Sequence, residues 1–113
     1  MSTAHLTQVD IETDILRICD RLEEDTSLLA DISVQRAEAE ATFKQRNARA
    51  MVEQTGKVPV ASKEAIAHLR SAEEFRVWKI LEAREKATQQ SLLALRARLD
   101  ALRTISANVR AMT

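Results

Sequence analysis

The chain has 113 residues, a length that holds one domain, and its 17 basic side chains are balanced by 17 acidic ones. Zero net charge excludes a general electrostatic attraction to nucleic acid or to a membrane surface. One glycine, one proline and few aromatic residues argue against a β-sheet protein, whereas abundant alanine, leucine, arginine and glutamate favour helices. Apolar residues make up 45% of the chain, which predicts a packed core rather than disorder.

Signals for a cellular compartment are few. Cys19 is the single cysteine and cannot form an internal disulfide, which fits a reducing environment. The first residues lack the basic and apolar regions of a signal peptide. No apolar run approaches the roughly 20 residues that a membrane-spanning helix needs. The sequence therefore predicts a cytoplasmic protein that makes no membrane contact.

The chain begins with a signal for the start of a helix. Thr7 and Asp10 have the spacing of a capping box, and Leu6 and Ile11 stand at the positions of a hydrophobic staple. Apolar residues then recur at alternating spacings of four and three, which predicts one long helix over about residues 8–53. Three polar residues interrupt this heptad-like stripe, which consists of Ile11, Ile15, Ile18, Leu22, Leu29, Ile32, Ala39, Phe43 and Ala50, broken at Asp25, Arg36 and Arg46.

The helical pattern stops at Gly56 and Pro59. Glycine can adopt the left-handed conformation that ends a helix, and proline cannot continue one. This break predicts a linker over about residues 54–61. Ser62 is then expected to cap a second helix over about residues 62–110.

The second helix carries an apolar stripe of its own, formed by Phe75, Trp78, Leu81, Leu92, Leu95, Leu99, Leu102 and Val109. From Leu92 onward the stripe follows the same spacing of three and four. A second cap-like signature begins at Ser71, which is followed by one alanine and then by two glutamates. A break near Ser71 and a continuous helix both remain open.

Charge is distributed unevenly along the chain. The range from Asp10 to Asp31 contains eight acidic and two basic residues, whereas the range from Arg76 onward contains eight basic and three acidic residues. An antiparallel arrangement places these opposite charges side by side, whereas two parallel copies would stack like charges. We therefore predict an all-α fold: a long, coiled-coil-like antiparallel helical hairpin, stabilised by apolar burial rather than by surface ion pairs.

Additional apolar residues widen both stripes beyond the width that a two-helix seam requires. They are Leu16, Leu28, Val34, Ile80, Leu93 and Ile105. A second copy, completing a helix bundle, or a different protein would cover this surface. We expect a homo-oligomer, with a dimer favoured, and the candidate oligomer or partner interface consists of Phe43, Phe75, Trp78, Leu92, Leu95, Leu99 and Leu102. For Trp78, the alternative is a core position beneath the first helix.

Motifs for catalysis and metal binding are missing. The chain has two histidines and one cysteine, and it contains no C-x-x-C, H-E-x-x-H, G-x-S-x-G or glycine-rich phosphate loop. Glu64 and His68 share a helix face, where a solvated pair is favoured over two metal ligands. The sequence therefore predicts no enzyme activity, no catalytic residue, no metal and no cofactor.

Basic residues form a line on the last helix. Arg96, Arg103 and Arg110 are spaced by seven and, with Arg98, are a candidate nucleic-acid contact. The alternative is a solvated face that the acidic first helix neutralises. Zero net charge and the scarcity of aromatic residues favour this alternative, because single-strand binders use aromatic stacking platforms.

The segments Glu82–Arg84 and Leu92–Ile105, together with the linker Gly56–Pro59, resemble small α-helical accessory proteins of tailed actinobacterial phages. The similarity is clearest over residues 74–110. It implies a phage accessory protein, encoded near replication and recombination functions, and brings no catalytic residues. We therefore predict a non-catalytic helical protein–protein interaction or accessory protein that self-associates. The alternative is a DNA-metabolism accessory protein that contacts nucleic acid through its basic C-terminal helix.

Overall fold

A computed structural model describes residues 7–112 of the chain, and this part is almost entirely helical, without strands. It consists of α1 (Gln8–Glu53), α2 (Val60–Arg70) and α3 (Ala72–Ala111). The two long helices, α1 and α3, pack along each other. The predicted all-α helical hairpin is therefore confirmed.

The start of α1 is capped by Thr7. The backbone N–H of Asp10 donates to Thr7 Oγ1 at 3.1 Å, and the backbone N–H of Thr7 donates to Asp10 Oδ2 at 3.2 Å. This reciprocal pair satisfies two donors that the first helical turn leaves unpaired, with aspartate in the place that glutamate usually takes. The capping box is confirmed, whereas Leu6, the predicted staple residue, lies outside the described residues.

The connection from α1 to α2 turns at Gly56, whose φ of 95° lies in the left-handed region that glycine adopts without steric cost. The side-chain amide of Gln54 then joins the two helices. Its Nε2 donates to the carbonyl of Ala50 on α1 at 3.1 Å and to the carbonyl of Lys63 on α2 at 2.8 Å. One amide group therefore holds the first turn of α2 against the last turn of α1.

The start of α2 differs from the sequence expectation. The helix begins at Val60, directly after Pro59, and no side chain caps it. The carbonyl of Pro59 accepts the N–H of Lys63 at 3.0 Å, so the proline provides the first helical hydrogen bond. A proline lacks only a donor that a helix start leaves unpaired in any case. The prediction that Ser62 caps this helix is wrong, because Ser62 lies inside the first turn.

A bend at Ser71 separates α2 from α3. Its backbone has φ −108° and ψ 15°, and the residue is fully buried. Helical hydrogen bonds still pass through it: the N–H of Ser71 donates to Ala67 and the N–H of Phe75 donates to Ser71, both at 3.0 Å. The hydroxyl of Ser71 lies 2.8 Å from the carbonyl of Ala67 and 3.3 Å from Asn47 Oδ1 on α1. In the structure, α2 ends at Arg70 and α3 begins at Ala72, while the helical hydrogen bonds continue through Ser71 between them.

Backbone contacts divide the chain into two compact units. The terminal unit comprises Met1–Leu29 and Ala87–Thr113, and the linker unit comprises Ala30–Lys86. The core of the terminal unit contains Ile11, Ile18, Leu92, Leu99 and Ser106, all of them buried.

Polar contacts across the helices show the antiparallel direction in the terminal unit. Gln8 Nε2 at the start of α1 donates to Ser106 Oγ near the end of α3 at 2.8 Å. Further along α1, Asp25 accepts a hydrogen bond from Ser91, which comes earlier on α3, at 3.4 Å. Asp25 is one of the polar residues that interrupt the apolar stripe, and it therefore has a polar partner on the facing helix.

The linker unit has a small core that contains Ile32, Ala50, Ala67 and Ser71. Arg36, another interruption of the α1 stripe, donates from Nε to Glu85 on α3 at 3.2 Å. The third interruption, Arg46, lies 4.0 Å from Glu53 on its own helix. Two of the three polar interruptions are thus matched by polar groups on the opposite helix.

Candidate interaction surfaces

Aromatic side chains from all three helices meet in the linker unit. Phe43 of α1 lies with its ring centroid 5.2 Å from Phe75 and 5.4 Å from Trp78, both on α3. His68 of α2 completes the cluster at 5.0 Å from Phe75. Aromatic pairs in such geometries contribute roughly 0.5–1.5 kcal/mol beyond the burial of their area. Three of the candidate interface residues therefore pack against one another within the chain, and all three are half-buried.

Trp78 combines a cation contact with an unsatisfied donor. The ammonium group of Lys79 lies 4.2 Å from the centroid of the Trp78 ring. The indole Nε1 is buried and has no hydrogen-bond partner among the described residues. Its packing against Phe43 is what the core alternative for this residue expects. His68 packs against aromatic rings, and the described part of the chain contains no group of three or more potential metal ligands.

The four leucines of the predicted interface lie in the terminal unit. Leu92 and Leu99 are only 4% and 7% exposed, and Leu95 and Leu102 are half-buried. These side chains contribute to the packing of the unit itself. A partner would therefore meet other residues first.

Large apolar side chains remain exposed on every helix. Leu16 on α1 is 66% exposed, and Leu69 on α2 is 76% exposed. The six residues that widen the predicted stripes are all exposed, and so are Val9, Val52, Val60, Ile66, Leu69, Val77 and Met112. The residues around the linker escaped the sequence analysis because they follow no helical period. The signal that could have identified them is the composition of this segment, which contains apolar residues close to the single glycine and the single proline.

The arginines of α3 are exposed, as a nucleic-acid contact requires. Arg96, Arg98 and Arg103 make no ion pair with any described residue, and Arg110 is exposed as well. Arg98 borders a concave surface together with Arg17 and Arg21 of α1. The sequence analysis missed this grouping because the two α1 arginines lie within an acidic stretch. Their spacing of four residues, which places them on one helix face, is the signal that could have identified them.

Two segments carry strong charge of opposite sign. The acidic segment, residues 10–25 of α1, has seven acidic and two basic residues, a net charge of −5. The basic segment, residues 44–70, has six basic and two acidic residues, a net charge of +4. The basic segment surrounds the linker and includes the exposed Val52, Val60 and Leu69. A comparison of the charges at the chain's two ends reveals the acidic segment but not the basic one, which lies between those ends.

Comparison of the chain with protein-family models, with curated proteins and with solved structures finds no match. Within the described residues, no helix combines the length and the apolar character that crossing a membrane would require.

Proposed function

We propose that this protein is a non-catalytic helical interaction protein that self-associates through its exposed apolar faces. The observation that supports it best is the exposure of large aliphatic side chains, above all Leu16 and Leu69, on a chain whose helices already pack against each other. Burying one leucine side chain contributes roughly 1.5–3 kcal/mol. Several such residues covered together would offset the loss of translational and rotational freedom that association costs.

The sequence resemblance of α3 to phage proteins extends this proposal. We propose that the self-associating protein is an accessory protein of a tailed actinobacterial phage and acts in the cytoplasm of the host. In that setting it would act by binding other proteins rather than by chemistry. A homodimer is the simplest closed assembly that covers identical apolar faces on both copies.

Light scattering across a concentration series tests the proposal. We expect the purified protein to have at least twice the mass of one chain at micromolar concentration. Replacing Leu16 and Leu69 with glutamine should shift the assembly toward the monomer without changing the helical signal in circular dichroism. The matched control is Met112→Gln, which changes an exposed apolar residue in the last turn and should leave the mass unchanged. A wild-type protein that stays monomeric at every concentration would contradict the proposal.

Contact with nucleic acid is the second candidate function. The supporting observation is that Arg96, Arg98 and Arg103 are exposed and make no ion pair among the described residues. Arg17 and Arg21 border the same concave surface as Arg98, but they lie 3.6 Å from Asp14 and 3.8 Å from Asp25, respectively. Arginines that have no protein partner are available to phosphate groups. Each phosphate neutralised should make the slope of log affinity against log salt concentration more negative by about 0.9 for duplex DNA.

A mobility-shift assay at low salt tests this second candidate. Nucleic-acid binding predicts a shift that weakens steeply with added salt and disappears when Arg96, Arg103 and Arg110 are changed to glutamate. Replacing Lys86 with glutamate adds negative charge elsewhere on α3, and this variant should still bind. No shift at low salt would eliminate the candidate, and equal loss of binding in both variants would show a general charge effect.

A further inference from the structure

We infer that the basic segment of one copy binds the acidic segment of a second copy. This inference rests on the proposed self-association and names its surfaces. The two segments carry net charges of +4 and −5, so their magnitudes nearly match. Every copy carries both segments, so a single type of contact, basic segment to acidic segment, can involve both segments of each chain.

Several charges in the two segments lack partners. Asp20, Glu23 and Glu24 are exposed and make no ion pair with any described residue. Asp20 lies three and four residues before the two glutamates, and like charges at these helical spacings repel each other. A basic surface laid over this cluster would remove the repulsion.

The basic segment contains the complementary set. Arg49, Lys57 and Arg70 are exposed, and none of them forms an ion pair within residues 7–112. Two other cations of this segment are already engaged: Lys44 lies 2.7 Å from Glu40, and Arg46 lies 4.0 Å from Glu53. The three unpaired cations lie on α1, in the linker and on α2, respectively. They are therefore available to a partner without disrupting the contacts of the linker unit.

Exposed apolar residues accompany the charges on both surfaces. Leu16 precedes Asp20 by one helical turn, and Val52 follows Arg49 by a little less than one turn. Ile66 similarly precedes Arg70 by four residues on α2. A contact in which charge surrounds a few apolar side chains has the composition of a specific interface. In such a contact the charges set the orientation and the association rate, and apolar burial slows dissociation.

A charge-exchange experiment on the full chain tests the inference. The first variant changes Arg49, Lys57 and Arg70 to glutamate, and the second changes Asp20, Glu23 and Glu24 to lysine. Each variant alone should associate at least about tenfold more weakly than the wild type in analytical ultracentrifugation. Mixing the two variants in equal proportions should restore association, because the reversed surface of one variant is complementary in charge to the reversed surface of the other.

The control variant changes the exposed Lys86, Gln89 and Gln90 of α3 to glutamate, which lowers the net charge by four. It should associate like the wild type, and all three variants should keep the helical circular dichroism signal. Retention of that signal separates a lost contact from a lost fold. Added salt should weaken the wild-type assembly, since the contact joins opposite charges.

The outcomes distinguish this inference from the proposed function. A wild-type protein that is monomeric throughout overturns both. Self-association that persists in both charge variants, or a mixture that fails to recover, overturns the inference and leaves self-association standing. Binding to vesicles of phosphatidylserine and phosphatidylcholine that is lost in the first variant, while its self-association is unchanged, also overturns the inference, because the basic segment would then bind an anionic lipid surface.

Discussion

The guanidinium group of Arg36 on α1 binds the carboxylate of Glu85 on α3, with 3.2 Å between Nε and Oε1. The same guanidinium contacts Glu40, one turn further along α1, at 3.2 Å. A hydrogen bond from Ser33, followed by the contact with Arg36, holds the pKa of Glu85 below its ordinary value of 4.5. A polar group within the apolar stripe thus connects the two long helices of the linker unit at a defined position.

This arrangement predicts a dependence of stability on pH. A carboxyl group whose pKa is lowered in the folded protein stabilises it above the unfolded pKa, and the contribution is lost as pH falls through the folded pKa. The unfolding midpoint in urea should therefore decrease as pH is lowered from about 5 toward the folded pKa. Glu85→Gln should flatten this decrease. The flattening should be partial, because two other carboxyl groups also contribute to the pH dependence. Lys44 lowers the pKa of Glu40, and Arg76 lowers that of Glu73.

The control for this measurement is Glu64→Gln. Glu64 is exposed on α2 and makes no ion pair among the described residues. Its replacement should leave the pH dependence of the midpoint unchanged. Identical pH profiles for the wild type and Glu85→Gln would contradict a stabilising role for the Arg36–Glu85 pair.

The aromatic cluster predicts a large cost for truncating Trp78. Its ring contacts Phe43 and Phe75, so Trp78→Ala removes contacts between α1 and α3 and leaves a cavity. We expect the free energy of unfolding to fall by about 3 kcal/mol, the lower end for a large aromatic residue, because the side chain is half-buried. The measurement is chemical denaturation followed by circular dichroism. Val77→Ala, at a neighbouring residue that is 41% exposed, should cost less than about 1 kcal/mol.

The buried bend predicts that Ser71 tolerates little added volume. Ser71→Leu would place three more carbon atoms where the residue is fully buried against α1, and we expect a loss of about 1–3 kcal/mol. Ser71→Ala removes only the hydroxyl contacts with Ala67, His68 and Asn47 and should cost about 1 kcal/mol. Thermal unfolding measures both. A leucine variant as stable as the wild type would show that the helices around the bend can separate without cost.

The linker predicts a conformational cost for replacing Gly56. A Cβ atom at this position would have no atom within 4 Å, so no clash is expected. The positive φ alone should make Gly56→Ala less stable by about 1–2 kcal/mol. Gly56→Asn should cost less, because asparagine tolerates positive φ better. Equal stability of the alanine variant and the wild type would mean that the linker adopts another conformation without loss.

Much of the fold could be predicted because its signals are local. The alternating apolar spacing predicted α1, and the structure has it from Gln8 to Glu53. The capping pair at Thr7 and Asp10 is a relationship between neighbours in sequence, and so is the turn at Gly56. The sequence predicts the start of α2 at about residue 62, whereas the helix begins at Val60. Both a serine and a proline permit a helix start, and the sequence pattern does not distinguish between them.

The interaction surfaces were harder to predict, because a helical period does not tell which apolar residues find partners within the chain. Leu92 and Leu16 are both leucines on long helices, yet Leu92 is 4% exposed and Leu16 is 66% exposed. The sequence pattern predicts Leu92 as an interface residue and Leu16 as a surplus apolar residue. It does not predict the basic segment, because the charges there come from α1, the linker and α2.

Residue propensities and spacings within a few turns are enough to predict that this chain is helical, that it turns at Gly56, and that its apolar residues exceed the needs of two helices. The contact of Phe43 with Trp78, the pair of Arg36 with Glu85 and the burial of Ser71 become known only from the packed helices. Such contacts depend on the register of two helices over tens of residues, where small differences in side-chain packing choose among pairings that the sequence pattern treats as equal.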